Sequence, residues 1–181
     1  VGSCVTDLED FNGDGVSDIA IASLRNSDGM SGHAGRVWIL YGGSTPPAAV
    51  QLNDTAASGM MSTTVRVPHP NHELGQSIAC AGDSDYDGDS ELLVSRSLHD
   101  HNPEVTANVA YLIRGGLALA EINLATPAPW VTRYMSFYDN DEEGQSVHTT
   151  LDVSGDGVDD HIVGISRSII LDVEKGILIH L

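Results

Sequence analysis

Three short acidic segments carry the residue types and the spacing that could hold a metal. They read Asp10-Phe11-Asn12-Gly13-Asp14-Gly15-Val16-Ser17-Asp18, Asp83-Ser84-Asp85-Tyr86-Asp87-Gly88-Asp89-Ser90-Glu91 and Asp152-Val153-Ser154-Gly155-Asp156-Gly157-Val158-Asp159-Asp160. In each, oxygen-bearing side chains stand at positions 1, 3, 5 and 9, and a glycine follows position 5. Hard cations want this chemistry: calcium takes about six to eight oxygens at about 2.3–2.6 Å. In a tightly turned loop alternate side chains converge on one point, and the carbonyl of position 7 adds a further ligand. The candidate ligands are therefore Asp10, Asn12, Asp14, Val16 and Asp18 in the first loop. The second offers Asp83, Asp85, Asp87, Asp89 and Glu91, and the third Asp152, Ser154, Asp156, Val158 and Asp160. The glycine supplies the backbone freedom such a turn needs. Carboxylates this crowded repel one another and draw a counter-ion, which disfavours ordinary solvated turns.

The helix–loop–helix calcium site is a different object, and the residues argue against it. That loop needs a bidentate Glu at position 12 and a helix on either side. Position 12 here is Ile21, Val94 and Val163. The loops run into short apolar stretches, Ile19-Ala-Ile-Ala22, Leu92-Leu-Val-Ser95 and His161-Ile-Val-Gly-Ile165, which read as buried strands.

The elements that position the loops recur with them. A glycine precedes each first ligand at one fixed spacing: Gly2, Gly75 and Gly144. Further on comes another apolar run: Gly35-Arg-Val-Trp-Ile-Leu-Tyr-Gly-Gly43, then Asn108-Val-Ala-Tyr-Leu-Ile-Arg-Gly-Gly116, then Lys175-Gly-Ile-Leu-Ile-His-Leu181. A weaker fourth strand falls around Thr64–Val67 and Tyr134–Phe137. The period is about 70 residues with about four strands per unit, a signature of stacked antiparallel sheets and most often of propeller blades. The expected fold is all-β, a propeller-like array of about three four-stranded antiparallel blades. The units are residues 1–74, 75–143 and 144–181, the last incomplete.

Strand, acidic loop, strand and a later Gly-x-Val-aromatic strand resemble the FG-GAP repeats, the blades of the integrin alpha-subunit propeller and of many bacterial surface proteins. The likeness covers nearly the whole chain, and the acidic loop is its most specific part. It implies one calcium ion per loop, about three in all. Asp10, Asn12, Asp14 and Asp18 would hold the first, Asp83, Asp85, Asp87 and Glu91 the second, and Asp152, Ser154, Asp156 and Asp160 the third. The chain departs from the pattern in two places. The leading Phe-Gly is Val1-Gly2, Leu74-Gly75 and Glu143-Gly144, and the Gly-Ala-Pro after the second strand is absent. These losses weaken integrin-type ligand binding and leave the metal loops intact.

Composition agrees with an extracellular or cell-surface domain loaded with calcium. The chain has 26 acidic against 8 basic residues, a formal charge of −18, and a single lysine, Lys175. That balance disfavours nucleic acid and anionic membrane surfaces. No apolar stretch approaches the roughly 20 residues of a membrane helix, so membrane insertion is not expected. Propellers usually close with about four to eight blades. The reading therefore expects further repeats in a longer polypeptide, or association of copies, to cover the open edges. The connections between Gly42 and Glu73 and between Gly115 and Glu143 hold most of the prolines and form the expected variable rim.

Other features say less. The period-2 rule puts Cys4 and Cys80 on opposite strand faces as buried thiols, with a bridge between blades open in an oxidising compartment. His99 and His101, or His69 and His72, lack a third metal ligand at a telling spacing. Asn53-Asp-Thr55 is a glycosylation sequon. No Gly-x-Ser-x-Gly elbow, phosphate loop or His-Glu-x-x-His appears, and the loops already account for the carboxylate pairs, so no enzyme is expected. The expected function is a calcium-stabilised extracellular adhesion or structural module that meets a protein or glycan partner, or further copies of itself. The alternative is a sugar-binding propeller or the non-catalytic scaffold of a polysaccharide-active enzyme.

Overall fold

The computed structural model describes residues 2–26, 32–69, 72–96, 109–135, 146–149, 152–157 and 160–164. Their regular structure is strand, apart from one 3-10 turn at Ala56–Ser58. Three sheets follow one another along the chain. The first holds β1 (Cys4–Glu9), β2 (Asp18–Ser23), β3 (Arg36–Leu40) and β4 (Ser62–Arg66), each antiparallel to its neighbour. The second holds β5 (Leu74–Cys80), β6 (Leu92–Arg96), β7 (Val109–Ile113) and, at its edge, the strand Val131–Met135, numbered β9 below. The strands Ser146–Thr149 (β10) and His161–Gly164 (β11) pair as an antiparallel ribbon. In the first two units the four-stranded repeat read from the sequence is what folds, and the fourth strands begin two and three residues before the expected Thr64 and Tyr134. His99, His101, Val158 and the run from Lys175 to Leu181 lie outside the described residues.

One strand escaped the sequence reading. Glu121–Asn123 (β8) leaves the second repeat and adds to the first sheet, parallel to β4. Its central Ile122 is fully buried, and Glu121 pairs with Arg66 at 2.8 Å. Upstream, the Tyr41 hydroxyl donates to the Leu117 carbonyl at 3.0 Å and holds this connection against the first sheet. The segment 116–124 is therefore packed onto the neighbouring repeat.

Strand periodicity explains how the sheets stack. Successive side chains point to opposite faces. From β6, Leu92 and Val94 join one core while Leu93 joins another. The first core lies between the first two sheets and combines Ala20, Ala22, Val37 and Ile39 with Leu92, Val94, Tyr111 and Ile113. The second combines Ala79, Leu93, Ala110 and Leu112 with Val147 and Val163 of the ribbon. The middle sheet is covered on both faces, so β6 and β7 are buried along their whole length and read as continuous apolar runs. Gly75 permits this approach: at φ +89° a Cβ there would stand 2.7 Å from the Cβ of Ala22. On the outer face of the first sheet Val5 and Ile19 are exposed, Val5 by 69%.

Cys4 and Cys80 are free and half-buried rather than fully buried. Both pack against the first core, because opposite faces of successive repeats meet across the inter-sheet space. The Cys4 thiol donates to the Gln76 carbonyl at 3.3 Å, and burial pushes the Cys80 thiol up.

Candidate metal centre

The three acidic loops join β1 to β2, β5 to β6 and β10 to β11, so the hairpin ends of the sheets carry them. Each is wound in the same way around its first aspartate. Asp10 accepts the amides of Gly13, Asp14 and Gly15 at 2.9, 3.0 and 2.7 Å. Asp152 accepts those of Gly155, Asp156 and Gly157 at 2.6, 3.1 and 2.8 Å. Asp83 accepts those of Asp87 and Gly88, both at 3.0 Å. The glycine after position 5 has φ of 84°, 98° and 94° in the three loops, the left-handed region the turn demands. The Gly157 amide, foremost of several, lowers the Asp152 carboxyl.

The residue at position 9 closes each loop from the strand side. Asp18 accepts the amides of Phe11 and Asn12 through Oδ2 and that of Gly42 through Oδ1, at 3.0, 3.2 and 2.8 Å. Asp160 accepts those of Val153 and Ser154 at 2.7 and 2.8 Å. Glu91 accepts the Ser84 amide and hydroxyl through Oε2 at 2.5 and 2.7 Å. The glycine pairs Gly42-Gly43 and Gly115-Gly116 acquire their reason here. The Gly42 amide bonds Asp18, and the matching Gly115 amide lies near enough to Glu91 to lower its carboxyl. A Cβ at Gly42 would lie 2.2 Å from the Ser17 carbonyl oxygen, and one at Gly115 would lie 2.5 Å from that of Ser90.

Only the second loop draws its carboxylates together. Asp83, Asp85, Asp87 and Glu91 each offer an oxygen, and these lie within 4.8 Å of one another. Among the described residues no other group of three or more His, Cys, Asp or Glu converges in this way. Two differences account for that. Glu91 is one methylene longer than Asp18 and Asp160. The first and third loops also carry Asn12 and Ser154 where the second has Asp85. Asn12 is turned to Asp14, donating to its Oδ2 at 3.1 Å, and Ser154 donates to Asp152 at 3.4 Å. The Val16 amide donates to Asp14 at 2.9 Å, and Val158 lies outside the described residues.

The second loop also passes a sharper test of fit. Glu91 Oε1 and Asp85 Oδ1 are buried and accept no hydrogen bond, and both belong to the four-carboxylate group. A buried carboxylate oxygen without a donor is costly unless a cation meets it. Oxygen-only donors suit a hard divalent ion. These four residues could hold one, and the ion would supply the positive charge that four converging carboxylates call for. Asp85 Oδ2 is already paired with Arg114 at 2.8 Å, a contact that no motif announced.

Burial pushes the Glu91 carboxyl up to about 7, with the Asp85 charge acting in the same sense and the Ser84 bonds opposing. Below that pH the folded, metal-free chain holds a proton where a cation needs the ionised group. Metal affinity at the second loop should therefore fall about tenfold per pH unit below about 7. The sign for the metal-free fold is the opposite: the Glu91 contribution is full below its ordinary 4.5 and is lost as pH rises through about 7. Metal titrations at pH 5.5 and 7.5 check this, and equal affinities would contradict it.

Neighbouring loops touch. The Ser90 amide donates to the Asp10 carbonyl at 3.0 Å, and its hydroxyl donates to the Leu8 carbonyl. The Gly116 amide donates to the Phe11 carbonyl at 2.8 Å. The Asp89 carboxylate sits between Gly13 and Gly116, where desolvation and the charges of Asp87 and Asp10 raise it. Tyr86, at φ 63°, brings its hydroxyl to 3.5 Å from the Asp156 carbonyl. None of these links follows from the motif, because each joins one repeat to the next.

Among curated proteins none matches the chain. Residues 6–40, which hold most of β1, the first acidic loop, β2 and β3, match the family model of the FG-GAP repeat.

Proposed function

We propose that the chain is a calcium-stabilised extracellular repeat module of the β-propeller type, serving adhesion or structure and carrying no catalytic step. The observation that carries the reading is the second loop: four converging carboxylates, two of whose buried oxygens accept no hydrogen bond. Calcium suits it because the donors are all oxygen and four carboxylates converge. Millimolar extracellular calcium would keep such sites filled. Each of the three loops takes one ion in this reading, the second most tightly because it has the most carboxylates. Asp10, Asn12, Asp14 and Asp18 serve the first, and Asp152, Ser154, Asp156 and Asp160 the third. The amides that bind their first aspartates engage some lone pairs and leave others for the ion.

The partner is a protein or glycan of a cell surface or matrix, or a further repeat. The exposed apolar residues Val5 and Ile19 on the outer face of the first sheet support the last of these. No helix of the described residues is long and apolar enough to cross a membrane. Retention of the chain on matrix-protein and glycan coats, in calcium and in chelator, tests the reading. Calcium-dependent retention is expected. Retention unchanged by chelator, or turnover of the glycan, would contradict it.

A further inference from the structure

The backbone of the first acidic loop is held from the second repeat. Asp10, its first candidate ligand, accepts the Ser90 amide on its carbonyl at 3.0 Å. Ser90 stands directly before Glu91, the last ligand of the second loop. Its hydroxyl donates to the Leu8 carbonyl, two residues upstream of Asp10. The glycine pair after β7 provides a second path. Gly115 lies against Glu91, and the amide of Gly116 donates to the Phe11 carbonyl at 2.8 Å. The Phe11 amide in turn donates to Asp18 Oδ2 at 3.0 Å. Phe11, Asp18, Ser90 and Glu91 are all buried, so these links are shielded from water. The Asp89 carboxylate also lies against the first loop, where a Cβ on Gly13 would stand 2.7 Å from its Oδ1.

The second and third loops meet differently, through the exposed Tyr86, whose hydroxyl stands 3.5 Å from the Asp156 carbonyl. The carboxylates of the second loop converge, and those of the first do not. Binding at the first loop must therefore draw Asp14 and Asp18 toward Asp10 and fix the backbone that carries them, which costs conformational entropy. An ion in the second loop fixes Glu91, and with it Ser90 and the glycine pair. Part of the ordering that the first loop needs is then already done. The charge of the added ion works in the other sense, and salt screens it over a Debye length of about 8 Å at physiological ionic strength.

We propose, resting on the calcium reading of the loops, that the first site is built by two repeats and is coupled to the second. Ser90 and Gly116 are its positioning residues, and an ion in the second loop raises the affinity of the first. By reciprocity the first ion raises the affinity of the second by the same factor. The third loop, without amide bonds of this kind to the second among the described residues, fills independently.

Calcium titration of the full chain, followed by nitrogen–proton NMR, tests it. The Gly13 and Gly15 amides, which bond Asp10, report on the first loop. Gly88, bonded to Asp83, reports on the second, and Gly157, bonded to Asp152, on the third. Asp87→Asn, alone and together with Asp85→Asn, keeps the shape of the second loop and strips one or two of its four charges. Gly88 verifies that the second ion is lost. The first loop is then expected to bind at least about fivefold more weakly than in the unmodified chain, and the third to change less than about twofold. Ser90→Ala keeps every ligand and removes the Leu8 bond, so it should shrink that fivefold factor. A merely structural Ser90 would lower the melting temperature and leave the factor as it was. A first loop unchanged by loss of the second ion, or weakened only as much as the third, would overturn the inference and leave the calcium reading in place. Absence of any calcium-dependent shift at Gly13 and Gly15 in the unmodified chain would overturn both.

Discussion

Asp87→Ala is expected to remove the calcium-dependent stability that the second loop contributes and to leave the metal-free fold nearly unchanged. An ion that binds only the folded state contributes about 2.7 kcal/mol at a hundredfold excess over its Kd. For a chain of this size that is a rise in melting temperature of about 5–10 °C per site. Asp87 isolates the effect because it is exposed, and the one hydrogen bond described for its side chain is from the Asp89 amide at 3.0 Å. Without metal, the carboxylates of the second loop are pressed together with only Arg114, on Asp85, as counter-charge, so removing one relieves repulsion as much as it loses a bond. Melting in calcium and in chelator should therefore show wild type and variant apart in the first and together in the second. A variant equally destabilised in both would mean that the loop acts through its turn alone.

Phe11→Ala should produce the opposite pattern, a loss of about 3–5 kcal/mol whether or not calcium is present. Phe11 occupies position 2 of the first loop, yet its side chain is fully buried in the core between the first two sheets. Its amide donates to Asp18 and its carbonyl accepts from Gly116, so the residue fixes loop, core and neighbouring repeat together. The corresponding residues are Ser84, which holds Glu91, and Val153, which is 62% exposed. Urea unfolding gives the number. A loss below about 1 kcal/mol would show that the first core closes over the gap.

The repeat and its strands were legible because branched and aromatic residues mark β2, β3, β6 and β7 so densely. The loops were legible because oxygen donors alternate around glycines. β8 was not legible, since Glu121–Asn123 is too short to show a period and its partner β4 belongs to the other repeat. Within the site, one spacing produced unlike loops. Spacing cannot tell that Asp18 is engaged by three amides while Glu91, with its extra methylene, keeps an oxygen free for the cluster. Arg114 beside Asp85 was equally hidden, because it comes from the far end of β7, although the repeated glycine pair after it marked the place. Cys4 and Cys80 show the same limit: alternation placed them on opposite strand faces, and only stacking of the sheets brings those faces to one core.

The central claim is that the acidic loops are calcium sites. Calorimetric titration of the metal-stripped chain with calcium at pH 7.5 tests it most directly, with Glu91→Ala alongside. The account predicts about three bound ions, one per loop, with the tightest of them lost in the variant. Absence of saturable binding, or a tightest site that survives removal of Glu91, would contradict it.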